Sequence, residues 1–192
     1  MDLIPLIRMK NRNIYPGQSQ DPLSFEEFLK KIDEDTKIYI LDLDGIEKDK
    51  PNLCTYQRLS SSHNLWVDNG PRNLGDIVDA VTAGATDITL RINLIHKLNI
   101  SDIKEISEDK IYTNIDFTED LSFFDTDGLV NFNTREEIET NFKYGEFFKK
   151  MILKSKIYSY ESDLDNISYW KHFGIEGLLV DLNKLKEFKN AL

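Results

Sequence analysis

Val67–Arg91 reads VDNGPRNLGDIVDAVTAGATDITLR, Ile157–Asp181 reads IYSYESDLDNISYWKHFGIEGLLVD, and the two align without a gap at an offset of 90 residues. Leu74 falls on Leu164, Ile77 on Ile167 and Gly84 on Gly174. Each segment runs from an apolar stretch through a polar turn and an amphipathic stretch to a glycine and a second apolar stretch. That order is strand, turn, helix, glycine stop, strand, the repeating unit of a parallel sheet. Three identities are no more than any two such units share. The equal register is what a barrel made from two similar halves shows.

Working outward, the same alternation covers the whole chain. Strands are expected at Leu3–Met9, Lys37–Asp42, Leu65–Asp68, Asp87–Ile92, Ile111–Phe117, Leu129–Phe132, Lys156–Tyr160 and Gly177–Asp181. The second, Lys37-Ile38-Tyr39-Ile40-Leu41-Asp42, is too apolar to alternate, as strands buried on both faces are. Helices are expected at Leu23–Ile32 (opened by Asp21-Pro22), Asn52–Leu59, Leu74–Ala83 (capped by Asn73), Ile100–Ile106, Glu136–Leu153, Ile167–Phe173 and Leu182–Leu192. Eight strands alternating with helices imply an α/β fold: a compact (β/α)8 TIM-type barrel over residues 1–192, or an open parallel sheet as the alternative. A barrel of this type usually takes about 200–250 residues, and this chain has 192. The shortfall falls at Thr118–Gly128, barely enough for a crossover. Helix five is therefore expected to be reduced to a turn or short link around Leu121-Ser122-Phe123-Phe124.

Composition narrows the class. Hydrophobic residues make up 40% and charged residues 30%, which suits a folded single domain. A formal net charge of −10 gives no general attraction to nucleic acid or an anionic membrane. No apolar run approaches the roughly 20 residues of a membrane span, and the start lacks the basic flank of a signal peptide, so the cytoplasm is the simplest compartment. One cysteine, Cys54, excludes an internal disulfide and a cysteine metal cluster.

Several motifs resemble a known family. Tyr39-Ile40-Leu41-Asp42-Leu43-Asp44-Gly45 resembles the second-strand motif of the histidine-biosynthesis isomerase HisA and the related synthase HisF. Trp66-Val67-Asp68-Asn69-Gly70-Pro71-Arg72-Asn73 resembles their third-strand turn, and it looks closest to a HisA/HisF-related archaeal branch. Ile4-Pro5, Asp21-Pro22 and Ala83-Gly84-Ala85 fit as well. The resemblance is good over residues 1–95, fair over 156–192 and thin between them, apart from strand five.

HisA enzymes isomerise an aminoaldose to an aminoketose on a substrate with two phosphates, and need no cofactor. They use an aspartate at the end of strand one and another at the end of strand five, because one group cannot remove a proton from one atom and donate to another. By this resemblance Asp116 is the strand-five acid. Arg8 stands where the strand-one aspartate belongs, and an arginine stays charged and is no ordinary proton shuttle. The parent chemistry is therefore expected to be lost. The turns after strands seven and eight, Ser159–Asp163 and Asp181–Asn183, hold carboxylates and no glycine, so that phosphate cradle is lost too. The symmetric site keeps Gly70, Arg72 and Asn73. At its rim Arg91 replaces a family glycine; it blocks backbone approach yet offers a guanidinium fork to an anion.

In a barrel, Arg8, Asp42, Asp44, Asp68, Arg91, Asp116, Glu161 and Asp181 gather on one face. Read functionally they form a ligand pocket, in which Asp42 is the first to touch a ligand. The plainer reading pairs Arg8 and Arg91 with Asp116, Asp181 or Asp42 and plugs a disused mouth. A divalent-metal site at Asp42, Asp44 and Asp116 is weaker than helix capping as an account of those residues, and Asp44-Gly45 reads as a turn device. His63, His96 and His172 lack ligand spacing and are expected in solvent. Cys54 is expected to pack, as are Trp66, Trp170 and the group Phe142, Tyr144, Phe147 and Phe148. Phe123-Phe124 should cover the bare barrel wall or meet a partner. Two functions remain open. One is an isomerase or lyase acting on a small anionic, phosphorylated ribosyl-type metabolite, with Asp116 as acid or base, Asp42 positioning substrate, Arg8 and Arg91 stabilising charge, and Gly70, Arg72 and Asn73 holding phosphate. The other is a non-catalytic barrel that serves as a binding or interaction partner of another protein.

Overall fold

A computed structural model describes residues 1–95, 100–106, 110–115 and 125–192. Its strands are β1 (Asp2–Lys10), β2 (Asn13–Tyr15), β3 (Lys37–Asp42), β4 (Asn64–Asp68), β5 (Ala85–Arg91), β6 (Lys110–Asn114), β7 (Gly128–Asn131), β8 (Ile157–Glu161) and β9 (Gly177–Asp181). All except β2 pair in parallel in chain order. Pairing of β1 with β9, from Asp2↔Gly177 to Leu6↔Asp181, closes the sheet into an eight-stranded barrel. The open-sheet alternative is thereby excluded. The strand that sequence reading missed, β2, folds back antiparallel on the end of β1, with Lys10 opposite Asn13.

The core has two shells because each strand sends alternate residues to opposite faces. Ile4, Leu6, Tyr39, Trp66, Tyr112, Val130, Tyr158 and Leu179 fill the barrel itself. Trp66 lies against Tyr112 and Tyr158, with ring centroids 4.0 and 4.9 Å away, and its indole N–H donates to Thr89 Oγ1 at 2.9 Å. Each fully buried ring of this kind contributes on the order of 2–3 kcal/mol. The outer shell, including Ile7, Ile38, Ile40, Val67, Ile88, Leu178 and Val180, packs against the helices.

Those helices are α1 (Phe25–Leu29), α2 (Leu43–Lys48), α3 (Leu53–Leu59), α4 (Leu74–Thr82), α5 (Ile100–Ile106), α6 (Arg135–Thr140), α7 (Phe142–Ile152), α8 (Ile167–Phe173) and α9 (Leu185–Ala191). Several differ from the expected spans for a local reason. Ser24, with Glu27, forms a capping box that starts α1 later than Asp21-Pro22 suggests. The single helix expected over Glu136–Leu153 is two, because Asn141 sits at φ −100°, ψ 103° and its side chain caps α7. Phe148 is buried there, but Phe142, expected to pack, is 80% exposed. The offset repeat has a physical counterpart: α4 and α8 each end at a glycine with positive φ, Gly84 (100°) and Gly174 (77°). Two further expectations need correction. His63 is buried edge-on to Phe28 (5.8 Å between centroids) instead of solvated, and burial pushes its pKa down. Cys54 is exposed instead of packed. The link around Leu121–Phe124 and His96 lie outside the described residues. No helix among the described residues is long and apolar enough to cross a membrane.

Candidate functional site

The C-terminal ends of the barrel strands carry the residues singled out above, and the alternation along each strand divides them. Tyr39 and Leu41 of β3 face the barrel axis, so Asp42 faces outward; Tyr158 and Tyr160 of β8 face the axis, so Glu161 faces outward. Asp68, Arg91 and Asp181 are at the mouth. Asp116 lies outside the described residues.

At the mouth, Arg91 binds Asp68 with both arms of its guanidinium, Nε to Oδ1 at 2.8 Å and Nη2 to Oδ2 at 2.7 Å. Asp68 also accepts the Tyr39 hydroxyl at 2.9 Å, and it is fully buried. Burial, followed by the Asp68 charge, raises the Tyr39 pKa well above its ordinary value, so the phenol stays a donor. The rings of Phe132 and Tyr160 stack beside this pair at 5.9 Å.

Of the partners expected for the two arginines, Asp116 lies outside the described residues, and neither arginine bonds Asp42 or Asp181. Arg91 pairs with Asp68. Arg8 gives its Nε to the Gly17 carbonyl and its Nη2 to the Ser19 carbonyl (2.8 Å), so it anchors the loop that follows β2. That loop in turn reaches Asp181, whose carboxylate accepts the Gln18 amide at 3.1 Å and the Tyr160 hydroxyl at 2.9 Å. Burial and the Asp181 charge push the Tyr160 pKa up. Gly17 has φ 84°, and a Cβ there would overlap the Asp181 side chain.

Asp42, expected to touch a ligand first, is turned away from the mouth. It caps α2 through the amides of Asp44 (3.1 Å) and Gly45 (3.2 Å), and accepts from Asn52 N (2.7 Å), Asn52 Nδ2 (2.8 Å) and the Tyr56 hydroxyl. Asp44 stands in the first turn of α2.

The two places where the resemblance puts phosphates are filled by the protein's own carboxylates. After β4, the amides of Arg72 and Asn73 donate to Asp76 Oδ2 at 2.7 and 3.2 Å. After β8, the amides of Ser162 and Asp163 donate to Glu161 Oε1, each at 2.8 Å, while Glu161 Oε2 accepts the Trp170 indole N–H at 2.7 Å. The Arg72 guanidinium is held by the carbonyls of Gly45, Ile46 and Gly70 at 3.2, 2.9 and 2.9 Å and by Asp49 at 2.8 Å. Asn73 caps α4 in a capping box with Asp76. Gly70 (φ 64°) lets the chain turn against Ile46 and Leu94.

Sequence reasoning missed Tyr39, Tyr160 and Gln18, which complete the mouth, because a strand tyrosine carries no sign of the direction its hydroxyl takes and Gln18 reaches the mouth from a loop, through its backbone amide. Chemically the mouth offers a closed ion pair and protonated phenols. Among the described residues, no three His, Cys, Asp or Glu side chains are grouped to hold a metal ion. No protein-family model matches the chain, and no curated protein matches it significantly.

Proposed function

We propose that this barrel is a non-catalytic relative of the HisA/HisF superfamily, serving as a binding or interaction partner. The observation that carries this reading is the bidentate hold of Arg91 on the fully buried Asp68 at the mouth. A HisA-type reaction needs carboxylates free to take up and release a proton; Asp116 lies outside the described residues, and the two mouth carboxylates among them are engaged, Asp68 by two guanidinium hydrogen bonds and a phenol, and Asp181 by the Gln18 amide and the Tyr160 hydroxyl. Arg8, standing where the resemblance expects the first acid, is engaged by backbone carbonyls. The filled amides at Asp76 and Glu161 support the same reading, since a substrate phosphate would have to displace a built-in carboxylate at either place.

The direct test is turnover. The purified protein is incubated with a HisA-type aminoaldose ribotide and the products are followed by NMR. No conversion is expected. Conversion that depends on the protein, and that Asp116→Asn or Arg91→Met removes, would reverse the reading in favour of an isomerase acting on a phosphorylated metabolite.

A further inference from the structure

The β1–β2 turn and the far end of α2 border an open surface depression of about 490 Å³ on the rim of the C-terminal face, clear of the Arg91–Asp68 pair. Its lining sets three cations, Arg12, Lys48 and Lys50, against one carboxylate, Asp44, in a chain of formal charge −10. Asp44 does not stay available to neutralise the other two cations. It already receives Lys48 Nζ at 2.9 Å, the Arg12 amide at 3.1 Å and Asn52 Nδ2 at 3.3 Å.

Arg12 differs from the other arginines. Arg8, Arg72 and Arg91 are anchored as described, Arg58 lies 3.9 Å over the Phe25 ring, and Arg135 bonds Glu139 at 3.2 Å. Among the described residues, the Arg12 guanidinium and the Lys50 ammonium have no side-chain hydrogen bond or ion pair. Arg12 also occupies a costly backbone position. Asn11 and Arg12 have φ 51° and 63°, the left-handed pattern of a two-residue hairpin turn whose second place favours glycine. An arginine there forgoes the easier backbone and adds a permanent positive charge to the exposed wall of the depression.

We propose that this depression binds the phosphate group of a small phosphorylated metabolite, with Arg12 giving its planar fork to two phosphate oxygens and Lys50 and Lys48 supplying further charge. The arrangement suits a dianion: two cations face it without internal partners, and the volume accommodates a sugar phosphate. The site is separate from the filled amides at α4 and does not depend on whether the barrel mouth is catalytic.

Thermal-shift and NMR titrations with inorganic phosphate, ribose 5-phosphate and ribose, against chloride at equal ionic strength, test it. Phosphate and ribose 5-phosphate are expected to raise the melting temperature of the wild type; ribose and chloride are not. Arg12→Gly removes the fork while relieving the positive φ, so it should melt no lower than wild type without ligand, yet bind phosphate about tenfold more weakly. Lys50→Ala should weaken binding as well. An absent phosphate response, or one that survives both Arg12→Gly and Lys50→Ala, would overturn the site. So would a response lost in Arg72→Ala and retained in Arg12→Gly, which would place the anion at α4.

Discussion

Arg91 on β5 grips Asp68 on the adjacent strand β4 through two parallel hydrogen bonds of 2.8 and 2.7 Å, at a carboxylate with no solvent exposure. Taking away one partner of such a pair strands a buried charge, which costs more than the pair itself contributes. Arg91→Met is therefore expected to lower the unfolding free energy by about 3 kcal/mol. The double variant Asp68→Asn, Arg91→Met should lose clearly less than the two single losses combined, since no charge is then left unpaired. Chemical denaturation of the four proteins measures this coupling; strictly additive losses would mean that the two residues do not act as a pair.

Arg72 makes a second, independent claim. Its guanidinium ties the end of α2 to the turn after β4 through three carbonyls. Hydrogen bonds from a charged group to partly buried acceptors typically contribute about 1.5–3 kcal/mol, whereas its ion pair with the 61% exposed Asp49 adds little. Arg72→Ala is expected to destabilise the fold by about 2 kcal/mol. Arg72→Lys should recover little of that, because a single ammonium cannot reach the carbonyls that a fork spans. Full recovery by lysine in a thermal melt would show that charge alone matters there.

Asp44 predicts an acid-side effect. Burial acts to raise its pKa, but the hydrogen bonds from Lys48, the Asn11 and Arg12 amides and Asn52 outweigh it and hold the carboxyl well below the usual range. A folded-state pKa below the unfolded one stabilises the protein above the unfolded value, near 3.8, and that stabilisation is lost as pH falls through the folded value. The stability advantage of wild type over Asp44→Asn should accordingly be constant from pH 7 to about 5 and shrink below about pH 4. Urea denaturation at pH 7, 5, 4 and 3 reads the difference; an advantage that grows toward pH 3 would contradict the assignment.

The barrel was legible because element order and the two in-register βαβ segments are carried by runs of residues, which tolerate local ambiguity. The direction of single side chains was not legible, for a reason built into the fold. Strands such as Lys37–Asp42 are apolar on both faces, since one faces the barrel interior and the other the helices. That erases the period-two signal which would have shown Asp42 and Glu161 pointing out and Tyr39 and Tyr160 pointing in. Capping explains other misses. Asn141 breaks a pattern that is amphipathic from Glu136 to Leu153, and only its backbone angles reveal the break. The hairpin β1–β2 was hidden because its turn, Asn11-Arg12, lacks the glycine that usually marks one. Arg12 therefore carries no turn signal in the sequence, while Arg72, in a more recognisable motif, is an anchor for neighbouring carbonyls.

The loop beyond that hairpin supplies the last prediction. Gly17 holds φ 84° and lies so close to Asp181 that a Cβ would overlap its carboxylate. Two costs follow from Gly17→Ala: the left-handed backbone, about 1 kcal/mol for a non-glycine residue, and the displacement of a loop fixed to Arg8 and Asp181 by the Gly17 and Ser19 carbonyls and the Gln18 amide. A total loss of about 2–3 kcal/mol is expected. Asp181→Gly in the same chain removes the overlap but not the backbone cost, so the double variant should be more stable than the sum of its single variants requires. Hydrogen exchange provides the local check. The Gln18 amide should lose protection in Gly17→Ala at a denaturant concentration where the amides of β3 and β4 keep theirs. Simultaneous loss of protection in the loop and in those strands would mean that the loop does not move separately, and that its seat on Asp181 is part of the barrel's global stability.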